Sequence, residues 1–215
     1  MDEPQEKKVE IKKIRVGRMD ENCYFVIDTQ TREILIIDPG DEGNYIAEQI
    51  NNLSCKPIGI IATHGHFDHI MGACELQMIY NIPFSMHEAD VFLIKRMKET
   101  AEYFLEHMVV ESPPTVTRLL NDGEMLKVGS LTLSVLSTPG HTPGSVCYYL
   151  TSEKILFAGD TLFAGGGVGR SDFSYSDSKE LSHSVSKILR LPDDTEIYPG
   201  HGERTSVREE KGYRS

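Results

Sequence analysis

The stretch IIATHGHFDHIMG at residues 60–72 constrains the fold more than any other part of the chain. It places His64, His66, Asp68 and His69 within six positions, directly after an apolar run. A buried apolar strand gives no reason to put imidazoles side by side, whereas a metal ion does, because imidazole nitrogens and carboxylate oxygens are common ligands. One short segment cannot close a metal site, so distant segments must supply the remaining ligands.

Length and charge limit the classes of protein to consider. The chain has 215 residues and a formal net charge of −11. This length predicts a single domain over residues 1–215. The acidic balance argues against nucleic acid as a partner, because neutralising phosphates requires clustered Lys and Arg. Four isolated cysteines without a CxxC pair are typical of a reducing compartment. With no signal-peptide pattern and no apolar run of roughly 18 residues, we expect a cytoplasmic protein without a membrane partner.

Hydrophobic periodicity predicts a β-rich order that occurs twice. The predicted strands are VEIKKIRV, NCYFVID, EILIIDPG, PIGIIAT, PFSMH, LKVGSLTLSVLS, SVCYYL, EKILFAGD and EIYPGHG. The predicted helices are EGNYIAEQINNL, HIMGACELQMIYNI, residues 88–108, SDSKELSHSVSKILRL and the tail from Glu203. Two β-rich blocks, each followed by helices, indicate two sheets packed face to face with helices outside.

The candidate functional residues share one position, since each follows the end of a predicted strand. Loops at strand ends tolerate change while the strands hold them in place, so sites are often assembled there. Glycine neighbours each of these loops, as sharp bends and close approaches require. Six side chains and one shared carboxylate are enough for two cations. They are His64, His66, Asp68, His69, His141 and His201, with Asp160 as the shared carboxylate.

Imidazole and carboxylate ligands without thiolate suit zinc, iron or manganese. We expect two divalent ions, with zinc first and iron or manganese left open. Two such ions about 3.5 Å apart bridge a water and lower its pKa towards neutrality, which is the chemistry of a metal-dependent hydrolase. Asp68 and Asp160 are the carboxylates that we assign to catalysis as well as to metal binding.

The motifs THGHFDH, TPGHTPGSVCYYL, LFAGDTLF and YPGHG occur in this order and resemble those of the metallo-β-lactamase-fold hydrolases. The resemblance runs from IIDPG to the last histidine. It implies an α/β (α+β) fold, an αββα sandwich of two mixed sheets with a dinuclear site along one edge. It also implies that Asp38, in IIDPG, orders the metal loop from behind the ligands. The implied ligands are His64, His66 and His141 for one metal, Asp68, His69 and His201 for the other, and Asp160 between them.

Within that family, GDTLFAGGGVGRSDF resembles the segment after the bridging aspartate in glyoxalase II, the hydroxyacylglutathione hydrolase, and its short relatives. The likeness implies hydrolysis of a small-molecule thioester such as S-lactoylglutathione. It puts Arg170 where those enzymes carry a basic residue that meets glutathione, with a loop salt bridge as the alternative role. The sequence ends soon after His201, so we expect no C-terminal glutathione-binding helical domain, and the short glyoxalase II-like subgroup matches better.

Two other functions stay open at this level. A persulfide dioxygenase of the same fold would bind a single iron through His64, His141 and Asp160, and a non-catalytic binding protein would keep the fold alone. The oligomeric state, acyl group and thiol carrier are undetermined. Several large side chains in the helical stretch after residue 90 are expected to pack that helix, with lining a substrate cleft as the alternative. These are Phe92, Met97, Tyr103, Phe104 and Met108.

Overall fold

In the computed structural model, which describes residues 8–214, the chain forms two six-stranded sheets. The first sheet has the same order in space as in sequence. Its strands are β1 (Val9–Val16), β2 (Glu21–Asp28), β3 (Glu33–Ile37), β4 (Lys56–Ile61), β5 (Phe84–His87) and β6 (Val116–Leu120). The second sheet has the spatial order β12-β11-β10-β9-β8-β7. Its strands are β7 (Met125–Val128), β8 (Leu131–Ser137), β9 (Val146–Leu150), β10 (Ile155–Gly159), β11 (Glu196–Pro199) and β12 (Thr205–Ser206).

Both sheets are mixed. Strands β1 to β3 pair antiparallel, as predicted, and β3 to β6 pair parallel. In the second sheet only β10 and β11 pair parallel. The α-helices are α1 (Gly43–Asn52), α2 (Phe67–Ile70), α3 (Ala73–Tyr80), α4 (Val91–Lys95), α5 (Met97–Leu105), α6 (Ser178–Ile188) and α7 (Val207–Gly212). Within residues 8–214, no helix combines the length and the apolar character needed to cross a bilayer.

Strand β2 illustrates why a strand that is covered on both faces has an almost continuous apolar sequence. Every residue of β2 is buried, because successive side chains point to opposite faces and both faces are covered. Cys23, Phe25 and Ile27 pack towards the helices, in the cluster that includes residues of α1 and α3. Tyr24 and Val26 pack between the two sheets. One strand therefore contributes to two hydrophobic layers.

Strand β9 does the same in the second sheet. Tyr148 packs between the sheets, whereas Cys147 and Tyr149 face outwards to Val185 on α6 and Val207 on α7. The result is four layers in the order helices, sheet, sheet, helices. This arrangement confirms the predicted αββα sandwich.

Two predicted helices are broken. The stretch HIMGACELQMIYNI divides into α2 and α3 around Gly72, whose amide donates to the Pro39 carbonyl at 2.9 Å. A Cβ at Gly72 would lie 3.0 Å from that carbonyl oxygen, so glycine suits this close approach, and the bond from the Gly72 amide to Pro39 interrupts the helical hydrogen-bond pattern. Residues 88–108 form a 3-10 turn (Glu88–Asp90), then α4 and α5, which meet at Arg96.

Two further differences concern short elements. Strand β6 was not predicted from the sequence, although it completes the first sheet next to β5. The tail from Glu203 is only partly helical, because β12 precedes α7. Helix α7 begins at Val207, where the Ser206 hydroxyl accepts a hydrogen bond from the Glu209 amide and caps the first turn.

Candidate metal centre

The seven predicted side chains lie together at one edge of the sandwich. They follow the ends of β4, β8, β10 and β11, so four distant segments meet where these strands end. Three groups of three among them have ligand atoms within 4.8 Å of one another, and one of these, His64, His69 and Asp160, joins the other two. We call His64, His66 and His141 the first cluster, and Asp68, His69 and His201 the second cluster.

In the first cluster three ring nitrogens face a common point. The His66 Nδ1 atom lies 3.1 Å from His64 Nε2 and 3.0 Å from His141 Nε2. His141 donates its Nδ1 proton to the Arg170 carbonyl at 2.7 Å, so its Nε2 presents a lone pair to the cluster. Burial, reinforced by repulsion from His141, lowers the pKa of His66 to about 3. Neutral imidazoles with converging lone pairs are the donor set that a divalent cation requires.

The second cluster includes a carboxylate. The Asp68 Oδ2 atom lies 3.4 Å from His201 Nε2 and 3.9 Å from His69 Nε2. His201 donates its Nδ1 proton to the Met19 carbonyl at 3.1 Å, which again turns Nε2 towards the centre. Burial opposes ionisation of Asp68, but the attraction of His69 and the hydrogen bond from His201 together lower the carboxyl pKa.

Asp160 lies between the two clusters. Its Oδ1 is 3.4 Å from His69 Nε2, and its Oδ2 is 3.6 Å from His141 Nε2 and 3.8 Å from His201 Nε2. Burial works against the charge, but the neighbouring His69 lowers the pKa of Asp160. Among the described residues, Asp160 Oδ1 and His69 Nε2 are buried without a hydrogen-bond partner. Buried polar atoms normally have partners, so these residues fit a bound cation.

Glycine permits this close packing at two positions. A Cβ on Gly200 would collide with the Asp160 carboxylate and the His69 ring. A Cβ on Gly169 would collide with the Asp160 carbonyl and the His141 ring. The glycines next to the predicted ligands therefore make room for them.

Asp38 lies behind the second cluster, at the end of β3, with a left-handed φ of 50°. Its carboxylate accepts hydrogen bonds from the Thr63 amide at 2.6 Å and the Thr63 hydroxyl at 2.7 Å. The same carboxylate lies 3.1 Å from His69 Nδ1. It therefore joins β3 to the histidine loop and fixes the ring orientation of His69, as carboxylates behind metal-binding histidines commonly do.

Two polar residues at the start of β2 were missed by the sequence analysis. The Asn22 side-chain amide donates to the Pro199 and Gly202 carbonyls, both at 3.0 Å, and so holds the loop that carries His201. Glu21 is buried, with its Oε1 atom 3.6 Å from His69 Nδ1, and burial raises its pKa well above the usual range. The sequence signal that could have identified them is a pair of polar residues at the start of an otherwise apolar strand.

Asp90 is a third residue that was missed. Its buried carboxylate accepts hydrogen bonds from the Gly65 amide at 2.9 Å, the Gly144 amide at 2.6 Å and the Thr142 hydroxyl at 2.7 Å. Gly65 lies between the first two histidines, and Thr142 follows His141. Asp90 therefore connects the two loops that carry the first cluster.

A cavity of about 310 Å³ opens above both clusters and Asp160. Its wall is largely aromatic and apolar, formed by Phe67, Phe104, Phe163, Val168, Phe173 and Tyr175. Arg170 also lines this cavity, but its guanidinium makes two hydrogen bonds to Asp172, at 2.9 and 2.8 Å, and stacks 4.5 Å from the Phe173 ring centre. Of the large side chains after residue 90, Phe104 reaches the cavity wall, whereas Met97 is buried in the core.

Comparison with known proteins agrees with this geometry. The model of the metallo-β-lactamase superfamily matches residues 16–201, so the chain belongs to that superfamily. The chain is 34% identical to the hydroxyacylglutathione hydrolase GloC of Haemophilus influenzae, over 92% of this chain and 93% of that protein. It is therefore similar to glyoxalase II-like members of the superfamily, as the motifs predicted.

Two solved structures extend the comparison. The di-iron-bound form of TTHA1623 superposes with a TM-score of 0.85 at 32% identity, over 93% of this chain and 96% of that one. The BLEG-1 B3 metallo-β-lactamase superposes with a TM-score of 0.87 at 31% identity, over 94% and 97%. The family and the cluster geometry support a metal-dependent hydrolase that uses divalent ions.

Proposed function

We propose that this chain is a dinuclear metal-dependent hydrolase that cleaves a small-molecule thioester, of which S-lactoylglutathione is the leading example. The observation that carries the proposal is the pair of ligand clusters that share Asp160 below one cavity. The likeness to a hydroxyacylglutathione hydrolase supports the thioester as the substrate class. The di-iron-bound form of TTHA1623, at 32% identity, supports two cations over the single iron of a dioxygenase.

The two clusters offer different sets of ligands to the two cations. The first cluster would hold one cation through three neutral imidazoles, and the second cluster would hold the other with one carboxylate. Asp160 would contact both, because its Oδ1 lies near His69 of the second cluster and its Oδ2 lies between His141 of the first and His201 of the second. Bound divalent ions supply a Lewis acid for the carbonyl oxygen and a water whose pKa lies near neutrality.

The protein's own residues position the metal ligands and exclude water from the site of reaction. Asp38, Asn22 and Asp90 hold the ligand-bearing loops, and the aromatic wall limits solvent at the reacting carbonyl. A thiolate is a good leaving group because thiols have a pKa of about 8.5, so no separate proton donor is required. Arg170 would contact the thiol carrier from the rim of the cavity.

The direct test is hydrolysis by purified protein loaded with zinc, iron or manganese, followed by the loss of thioester absorbance. We expect turnover of S-lactoylglutathione, near two equivalents of metal by elemental analysis, and loss of both in Asp160→Asn. His183→Ala is the matched control, since it removes an exposed histidine on α6 and should change neither quantity. A folded protein that cleaves no thioester at any metal loading would refute the proposal. One iron with oxygen uptake on glutathione persulfide would favour the dioxygenase.

A further inference from the structure

A second cavity of about 510 Å³ adjoins the one above the metal ligands. The two share Thr100, Phe104, Phe173 and Tyr175 in their walls, so one continuous depression leads away from the first cluster. We call this second cavity the aromatic groove. Its walls include Leu93, Thr100, Tyr103, Phe104, Phe173 and Tyr175, and Arg96, Glu99 and Ser174 complete the lining.

Ring contacts hold the walls of the groove in place. On the α5 side, Tyr103 meets Phe104 edge-on at 5.1 Å, and Phe104 stacks on Phe67 at 5.9 Å. On the opposite side, Phe173 and Tyr175 stack at 5.4 Å with their planes 12° apart. Phe104 is 37% exposed and Tyr103 is 78% exposed, so ring surface remains in contact with solvent. Covering such surface with an apolar ligand is favourable because it removes apolar area from water.

The charged side chains beside the groove are already paired. The Arg96 Nε atom lies 3.7 Å from Glu99 Oε2, and the Arg170 guanidinium is bound by Asp172. Both pairs are solvent-exposed at the rim. Among the groove and cavity walls within residues 8–214, the remaining charged groups are the predicted metal ligands. The groove therefore suits an uncharged ligand.

Tyr175 connects the groove to the ligand histidines. Its hydroxyl lies 2.9 Å from His66 Nε2, while His66 Nδ1 faces the other imidazoles of the first cluster. Because Nδ1 is the inward atom, Nε2 carries the proton and donates to the Tyr175 oxygen. The ring that orients His66 is thus also a wall of the groove, so a chain lying in the groove starts next to the first cluster.

We propose that the aromatic groove binds the apolar acyl arm of the thioester, an unbranched or aromatic chain of several carbons. This inference rests on the proposed function and adds the acyl class that the sequence left undetermined. If each additional methylene is buried on binding, kcat/KM should rise about fourfold per methylene until the groove is filled. A short, polar acyl group such as lactoyl would leave the groove empty.

The experiment uses thioesters of N-acetylcysteamine with acetyl, butanoyl, hexanoyl and octanoyl groups on the metal-loaded protein. We expect kcat/KM to increase with chain length and the increase to flatten in Phe104→Ala. Tyr103→Ser is a second variant, whose exposed position keeps the core intact, and it should flatten the increase in part. Tyr45→Ala removes an exposed ring from α1 that lines neither the groove nor the cavity, and should keep the full chain-length dependence.

A binding measurement separates the groove from the reaction. The corresponding S-alkyl thioethers of N-acetylcysteamine cannot be hydrolysed, and calorimetry gives their affinities. If no thioester is cleaved but thioether affinity rises with chain length and falls in Phe104→Ala, the groove assignment holds and the proposed function fails. If thioesters are cleaved at rates independent of chain length, or succinyl is preferred to butanoyl, the groove assignment is overturned and the proposed function remains.

Discussion

The two ligand clusters differ in charge and in what stands behind them. The first cluster consists of neutral imidazoles whose outward nitrogens contact neutral oxygens, namely the Arg170 carbonyl, the Thr63 hydroxyl and the Tyr175 hydroxyl. The second cluster contains the Asp68 carboxylate, and His69 is backed by Asp38. The same metal centre is therefore assembled in two ways, one with neutral partners behind every histidine and one with a carboxylate among the ligands and another behind His69.

This difference has an energetic meaning. A carboxylate among the ligands attracts a divalent ion more strongly than a third imidazole does, and a carboxylate behind a histidine raises its basicity. We expect the second cluster to retain its cation more tightly than the first. The first cluster keeps more of its cation's positive charge available for polarising a substrate, and it lies beside the aromatic groove.

The largest expected effect comes from removing the residue that the clusters share. Asp160→Ala should lower kcat about a thousandfold or more and reduce the metal content, because both clusters lose a facing oxygen. Steady-state kinetics with elemental analysis measures both quantities. If the variant kept both metals and near-normal turnover, Asp160 would not belong to either cluster.

Asp90→Ala should weaken the connection between the two loops that carry the first cluster and so lower the stability of the protein. It leaves two buried amides and one hydroxyl without their acceptor, which should cost about 3 kcal/mol in the free energy of unfolding. Urea denaturation of the metal-free protein measures this cost. Asp194→Ala is the control, since its ion pair with Lys154 is exposed to solvent and should contribute far less than the buried contacts of Asp90. Equal costs for the two variants would contradict the role given to Asp90.

Asp38→Asn should act more strongly on the second cluster, which it contacts directly at His69, than on the first, which it reaches through Thr63. The amide oxygen keeps a hydrogen bond to Thr63, but the negative charge behind His69 is lost, so one cation should bind about 10- to 100-fold more weakly. Competition with a coloured chelator resolves the two binding events. The prediction is wrong if both affinities fall to the same extent or if neither changes.

The smallest effect is expected at Arg170. Arg170→Ala should raise KM a few-fold and leave kcat within about twofold, because the guanidinium lies at the cavity rim and is already bound by Asp172. Asp172→Asn provides the comparison, since it frees the guanidinium and should not raise KM. A large loss of kcat in Arg170→Ala would instead assign the residue to the centre itself, through the loop that holds His141.

The sequence predicted the parts of the metal centre that are visible locally, as metal-binding residue types that directly follow a predicted strand. Imidazoles and carboxylates after apolar strands are conspicuous, so the sequence identified the seven side chains that the structure brings together. Asp90 and Asn22 were not, because each is a single polar residue whose partners lie far along the chain, at Gly144 and Pro199. Their role depends on tertiary contacts, which no local pattern reports. For Arg170 the sequence left a loop salt bridge open as the alternative role, and the structure shows that pair with Asp172.

Strands and helices were likewise predicted where a local pattern was visible and missed where it was not. Strands buried on both faces, such as β2 and β9, were evident as apolar runs. Strand β6 was missed because three consecutive residues, 117–119, are exposed at the edge of the first sheet, so neither a run nor an alternation is visible. The division between α2 and α3 was missed because Gly72 bends there to meet the Pro39 carbonyl, and that contact is set by tertiary structure.

The hydrogen bonds of Asp90 have a consequence for how the protein matures. Two of its donors, Thr142 and Gly144, belong to a loop of the second sheet, whereas Asp90 and Gly65 follow strands of the first. The histidines of the first cluster can therefore converge only after the two halves of the sandwich have docked. Binding of the cations and docking of the two halves are therefore linked. The concentration of free metal around the protein should then determine how well it resists heat and proteolysis.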